Sequence, residues 1–235
     1  MSTIAENIAK VRTRIRAAAQ ASGRDLPGIG LLAVSKTQPA SAIRTAFACG
    51  QHDFGENYLQ EALAKQADLA DLPLIWHFIG PIQSNKTRAI AEHFAWVHSV
   101  DRLKVAQRLS EQRPAGLPPL NICLQVNISD ETSKSGCNPQ DLPALAKAVS
   151  KLPGLLLRGL MAVPEATTDT ASQHAAFARL RALRDSLELP LDCLSMGMSE
   201  DLEAAIAEGA NWVRIGSAIF GARHYDAPPT QGNQV

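Results

Sequence analysis

The sequence has no net charge. Lys plus Arg number 23 and Asp plus Glu number 23, so the formal balance at pH 7 is zero over 235 residues. That gives no global attraction for nucleic acid or an anionic membrane, and leaves only a local basic patch as a route to either. Long apolar runs are missing as well: no window approaches the roughly 18 apolar residues of a membrane span. The opening "MSTIAENIAKVRTRIRAAA" alternates apolar and charged positions at helical spacing and lacks the apolar stretch of a signal peptide. Cysteine is sparse. Cys49, Cys123, Cys137 and Cys193 form no C-x-x-C or Cys/His spacing, which disfavours a metal site and suits reduced structural thiols. A cytoplasmic protein that contacts neither membrane nor nucleic acid is expected.

What is present is an ordinary globular balance, 46% hydrophobic and 20% charged, with ample material for a core. Apolar, β-rich runs recur at 30–36, 52–56, 74–80, 96–100, 121–128, 155–162, 191–197 and 211–216. Amphipathic helical patterns such as "NYLQEALAKQADLA" and "ASQHAAFARLRALRDSL" lie between them. Strand–helix alternation implies parallel strands with right-handed crossovers. Eight such units in a chain of roughly 250 residues fit a closed barrel. The expected fold is α/β, a single (β/α)8 TIM barrel with an extra N-terminal helix, and an open doubly wound sheet is the competitor. The expected domain is residues 1–225, followed by a flexible tail over 226–235. "GIGLLA" (28–33) imitates a dinucleotide fingerprint, but it precedes a strand where the fingerprint must follow one.

In such barrels function gathers where strands end and the following loops begin. Lys36 closes the first apolar run, "LLAVSK". Its plain reading is a stem packed on apolar wall with the ammonium in water. Its chemical reading is a desolvated amine able to attack an aldehyde and form a Schiff base. At the other end of the chain, "GMSED" places Ser199, and "IGSAIFG" places Gly216 and Ser217, where free backbone N–H groups suit a phosphate. Ser199 alone reads equally well as a helix N-cap. An amine and a phosphate cradle together point to pyridoxal 5′-phosphate (PLP), which carries both an aldehyde and a phosphate. Arg214, two residues before Gly216, is placed to approach the cofactor ring, or else forms a structural ion pair. A guanidinium beside the pyridine nitrogen stays charged and cannot take its proton, which would mute carbanion chemistry. His77 reads more readily as a satisfied core histidine than as a pocket residue. Lys134 reads as a second anion site or a solvated loop lysine, and Glu56 as a pocket carboxylate or an ion-pair partner.

Taken together, "LLAVSKTQPASAI", "FGENYLQEA", "WHFIGPIQSNK", "SDETSKSG", "RGLMAVPE" and "GMSEDLEAAIAEGANWVRIGSAIFGAR" closely resemble the YggS/PROSC family of PLP homeostasis proteins, from the first helix to about Arg223. The resemblance implies a PLP-binding barrel similar to the N-terminal domain of bacterial alanine racemase. It implies Lys36 as the Schiff-base lysine, Arg214 near the pyridine nitrogen, Asn57 of "GEN" near the cofactor, and Ser199, Gly216 and Ser217 at the phosphate. Ser217 stands where many relatives have Thr, which keeps the hydroxyl. The family is described as regulating PLP, related B6 vitamers and amino- and keto-acid balance without an established reaction. The expected partners are therefore PLP, other vitamers and PLP-dependent apo-enzymes, and a monomer or weak dimer is expected. A racemase needs a second base, normally a tyrosine from an added domain; only Tyr58 and Tyr225 occur, and neither lies in one. The alternatives are a weak PLP-dependent racemase and an interaction protein that keeps the cofactor as a structural element.

Overall fold

A computed structural model describes residues 2–129 and 135–221. Lys134, Tyr225, the domain end at 225 and the tail 226–235 lie outside the described residues. Eight parallel strands close into a barrel in chain order: β1 (Gly30–Val34), β2 (Asp53–Glu56), β3 (Ile75–Phe78), β4 (Trp96–Val100), β5 (Leu120–Gln125), β6 (Leu155–Met161), β7 (Cys193–Ser195) and β8 (Trp212–Ile215). The helices are α1 (Ile4–Ala21), α2 (Ala40–Ala48), α3 (Leu59–Asp68), α4 (Thr87–His93), α5 (Leu103–Gln112), α6 (Leu142–Val149), α7 (Thr170–Asp185), α8 (Leu202–Ala207) and α9 (Ser217–Phe220). The (β/α)8 barrel with its extra N-terminal helix is the observed fold, and all eight expected strands are present.

One detail differs from the sequence reading. The first strand stops at Val34, so Lys36 sits in the turn beyond it rather than at its tip. Helix α4, after β3, has only seven residues, too few for apolar periodicity to emerge in the sequence.

Helix α1 begins with a capping box in which Thr3 Oγ1 accepts from Glu6 N and the Glu6 carboxylate accepts from Thr3 N. It buries Ile8, Val11, Ile15, Ala18 and Ala19, one face at helical spacing. The same helix fastens the start of the chain to later elements. Asn7 Nδ2 donates to Ile219 O, Arg12 donates to Cys49 O and Gly50 O, and Arg14 pairs with Glu203. It thereby covers the seam between the first and last strands.

At that seam Gly30, Leu31, Leu32 and Ala33 pair with Trp212, Val213, Arg214 and Ile215. Alternate residues of a barrel strand point inward. Contacts between non-neighbouring strands identify which: His98 of β4 meets Ser195 of β7, and Cys123 of β5 lies 3.8 Å sulfur to sulfur from Cys193 of β7. The inward set at the seam is Gly30 and Leu32 against Trp212 and Arg214. A methyl on Gly30 would lie 2.3 Å from the Trp212 ring, so only glycine lets that indole fill the barrel floor. Gly30→Ala is expected to cost about 1–3 kcal/mol by overpacking, read as a lower urea midpoint at unchanged slope.

Candidate functional site

The seam brings the sequence-predicted residues to one end of the barrel. Ala33 pairs with Ile215 on one side and Phe54 on the other, so the chain beyond β1 is flanked by the ends of β8 and β2. Lys36 leaves that central position and is half-buried. On the β8 side Gly216 packs on β1: a methyl on it would lie 3.3 Å from Val34 O. Ser217 follows, and its hydroxyl is 3.4 Å from that of Ser199 on the β7 loop. Ser199 is not a helix N-cap. Asp201 holds that position before α8, with its carboxylate accepting from Met198 N, and Ser199 lies in the turn ahead.

On the β2 side Asn57 is held by a close backbone approach. A methyl on Gly80 would fall 2.1 Å from Asn57 O, which ties the glycine of "FIGP" to the "GEN" turn. Asn57 Oδ1 is buried, with no hydrogen-bond partner among the described residues. An unmet buried acceptor is costly, and a ligand donor would satisfy it.

The turn carrying Lys36 is clamped from behind. Ser35 Oγ donates to Glu56 Oε1 at 2.6 Å, and Lys65 Nζ donates to Ser35 O at 2.7 Å and to Glu56 Oε1 at 2.8 Å. The third donor of Lys65 goes to Glu61, whose carboxylate also accepts from Thr37 N. Both neighbours of Lys36 are therefore tied to one buried ion cluster. Thr37 has φ +64°, a left-handed conformation that costs a β-branched residue on the order of 1–3 kcal/mol, so the Glu61 bond holds a strained turn. Glu56 is the ion-pair partner of the two readings offered for it, fully buried between barrel and α3. Burial raises its pKa, partly offset by Lys65 and Ser35.

Arg214 is fully buried and pairs with no carboxylate among the described residues. Its guanidinium donates to Ser195 O, to Ser195 Oγ at 2.9 Å and to Ala162 O at 2.8 Å. Burial pushes its pKa down to about 10, which keeps it charged at neutral pH. Among the described residues the structural ion pair considered for it is absent, and neutral oxygens aim it. His77 is a satisfied core residue, bonded to Asp53 through Nε2 and to His98 through Nδ1, both at 3.0 Å.

Chemically the strand ends and the turns beyond them carry one lysine, two neighbouring hydroxyls, a buried amide oxygen and an oriented guanidinium. That set suits a flat ligand bearing a carbonyl and an anionic group.

The alanine racemase N-terminal domain model matches residues 2–224. A pyridoxal phosphate homeostasis protein of Pseudomonas aeruginosa is 77% identical over 228 residues, covering 97% of this chain and 99% of its own. The chain belongs to the pyridoxal phosphate homeostasis proteins, within the alanine racemase N-terminal domain family. The Escherichia coli member is 53% identical, over 96% of this chain and 99% of its own. PipY of Synechococcus elongatus, solved with PLP bound, is 43% identical with a TM-score of 0.82, over 93% of this chain and all of its own. Alanine racemase of Corynebacterium glutamicum shares the fold, at 19% identity and a TM-score of 0.68; the match spans 61% of the racemase.

Sequence reasoning missed Lys65, Glu61, Ser35, His98 and Ser195. The Glu61–Lys65 pair has the i,i+4 spacing of an ordinary helix surface pair, and only the fold shows that it faces Ser35. The two-residue period from Arg214 and His77 along their strands was the available signal for an inward polar layer.

Burial depresses the pKa of both His77 and His98, in His98 well below the usual histidine range with help from His77 and Arg214. The folded chain thus binds fewer protons than the unfolded one once pH falls below about 6.5, and stability is lost in that direction. We expect the unfolding free energy to drop between pH 7 and 5.5 by up to about 1.4 kcal/mol per pH unit per histidine. Glu56 acts in the opposite sense, so the slope is compared with that of His77→Gln, which should be shallower; equal slopes would contradict the assignment.

Proposed function

We propose that this chain binds PLP at the barrel mouth, holds it by a reversible covalent carbon–nitrogen link to Lys36, and buffers or delivers it in the cytoplasm. What supports this is that the Lys36 turn, the Asn57 turn and the Ser199 and Ser217 hydroxyls, 3.4 Å apart, all follow strand ends at the same end of the barrel. PLP bound to PipY and the names of the close relatives support it.

The residues present fit the group. Ser199, Gly216 and Ser217 would take the phosphate with hydroxyl and backbone donors, Asn57 would meet a polar substituent of the ring, and Arg214 would face the ring nitrogen. When bound, PLP supplies an aldehyde for an amine and a conjugated ring able to accept electrons. The protein's own groups do the holding. Lys65 cannot compete with Lys36 as a nucleophile, because its three donors are spent on Ser35 O, Glu56 and Glu61. Arg214 offers a hydrogen bond and keeps its proton, so the ring nitrogen gains no positive charge and the bound group remains a weak electron sink. This supports a carrier more than an enzyme, and apo-enzymes that need PLP are the proposed recipients. The exposed large apolar residues, among them Leu26, Tyr58, Leu117 and Leu156, are scattered over different elements, which suits a monomer or weak dimer.

Absorbance titration with PLP tests the reading. Lys36→Ala should lose the band of the covalently held form, and Ser199→Ala with Ser217→Ala should weaken binding by about 10- to 100-fold, as for lost bonds to a charged group. An unchanged spectrum in Lys36→Ala would sink the covalent assignment. Incubation with D- and L-alanine separates carrier from racemase: the carrier reading expects no turnover approaching the roughly 1–10³ s⁻¹ of ordinary enzymes.

A further inference from the structure

A single-file polar chain crosses the barrel interior from Arg214 to Asp53. Arg214 Nη1 lies 2.9 Å from Ser195 Oγ, which lies 2.7 Å from His98 Nδ1. His98 Nε2 lies 3.0 Å from His77 Nδ1, and His77 Nε2 lies 3.0 Å from Asp53 Oδ1. None of the intermediate groups touches the rim, and holding PLP makes no direct use of them.

The direction of every bond follows from its two ends. A guanidinium has only donors, so Arg214 donates to Ser195 Oγ. An ionised carboxylate only accepts, so His77 Nε2 carries a hydrogen and donates to Asp53. A neutral imidazole has one N–H, which leaves His77 Nδ1 to accept from His98 Nε2–H. His98 Nδ1 is then bare and accepts from the Ser195 hydroxyl. Each hydrogen in the chain meets one acceptor and none is left over. In the reverse direction the Ser195 hydrogen would have to face Arg214, which cannot accept it. Burial keeps both histidines neutral, as this order requires. Trp96 stacks parallel on His77 at 5.6 Å and Trp212 packs edge-on at 4.9 Å, so the middle of the chain is packed against aromatic rings.

We propose that Asp53, His77 and His98 are positioning residues that act through Ser195 to aim the guanidinium of Arg214 at the cofactor ring. The proposal rests on the reading that Arg214 meets that ring. The working part is the Ser195 hydroxyl, which is free to rotate unless something takes its hydrogen. His98 takes it, so an oxygen lone pair always faces Arg214. His98 can do so only in one tautomer, and Asp53 selects that tautomer from the opposite end of the barrel. Asp53 is 24% exposed and borders a surface cavity of about 270 Å³ with Arg12, Gln51 and His52, away from the mouth. The chain connects its carboxylate to the mouth.

Nitrogen NMR of the histidine rings in ligand-free protein at pH 7 reads tautomer and charge directly. His77 and His98 should both be neutral and carry the proton on Nε2. Asp53→Ala should leave the tautomers mixed, and Asp53→Glu, which keeps an acceptor-only carboxylate, should restore them. Asp53→Ala should also raise the PLP dissociation constant by about 3- to 10-fold, the effect of one weakened hydrogen bond. In an Arg214→Gln background the same change should have no further effect, because the chain then has nothing to aim. A charged or Nδ1-protonated histidine in the unsubstituted protein overturns the proposal. So does an Asp53→Ala effect of equal size in both backgrounds, which a merely structural role would give. If Arg214→Gln binds PLP as the unsubstituted protein does, the reading beneath the proposal fails and takes the proposal with it. If Arg214→Gln weakens binding while the Asp53 effect stays additive, the reading stands and the proposal alone is overturned.

Discussion

The pairing of β1 with β8 is the constraint on which the rest depends. Four residue pairs, from Gly30 with Trp212 to Ala33 with Ile215, close the barrel and set the register of its first and last strands. That register decides that the Lys36 turn and the Gly216–Ser217 turn emerge side by side. Slipping a strand by one residue would send its inward side chains outward, exchanging Trp212 and Arg214 for Val213 and Ile215. Glycine at position 30 permits the register, because the indole of Trp212 occupies the space of its missing side chain. Helix α1 braces the same seam from outside through Asn7, Arg12 and Arg14.

Three basic residues near this seam meet different electrostatic fates, and the contrast explains the behaviour of the site. Lys65 is buried but saturated, its charge shared between two carboxylates and a carbonyl. Arg214 is buried among neutral oxygens and retains its charge because a guanidinium holds its proton so strongly. Lys36 stands half-buried on a strained turn whose two flanking residues are tied down by the Lys65 cluster. The protein spends its buried charge on holding the turn and the guanidinium still. On the proposed reading, such an arrangement suits storage of a reactive aldehyde better than its use.

Much of the architecture was legible in the sequence because parallel strands buried on both faces read as apolar runs, and the loops between them carry polar residues at one end. The positions of Lys36, Ser199, Arg214, Gly216 and Ser217 were legible for the same reason, since each interrupts or follows such a run, whereas Asn57 entered through the family resemblance. What escaped notice depended on direction rather than composition. Lys65 sits among charged residues on an amphipathic helix, and nothing in the one-dimensional pattern says that this lysine turns inward. Cys123 and Cys193 are 70 residues apart in sequence and neighbours across the barrel. His98 and Ser195 become one hydrogen bond only after β4 and β7 face each other through the interior.

The central claim is that the environment selects Lys36, and not the nearby buried Lys65, to hold the aldehyde. Borohydride reduction of the PLP-loaded protein followed by peptide mass mapping tests this most directly. The account predicts one cofactor per chain on the peptide carrying Lys36, with Lys65 unmodified. Label on Lys65, or label spread over several lysines in proportion to exposure, would contradict it.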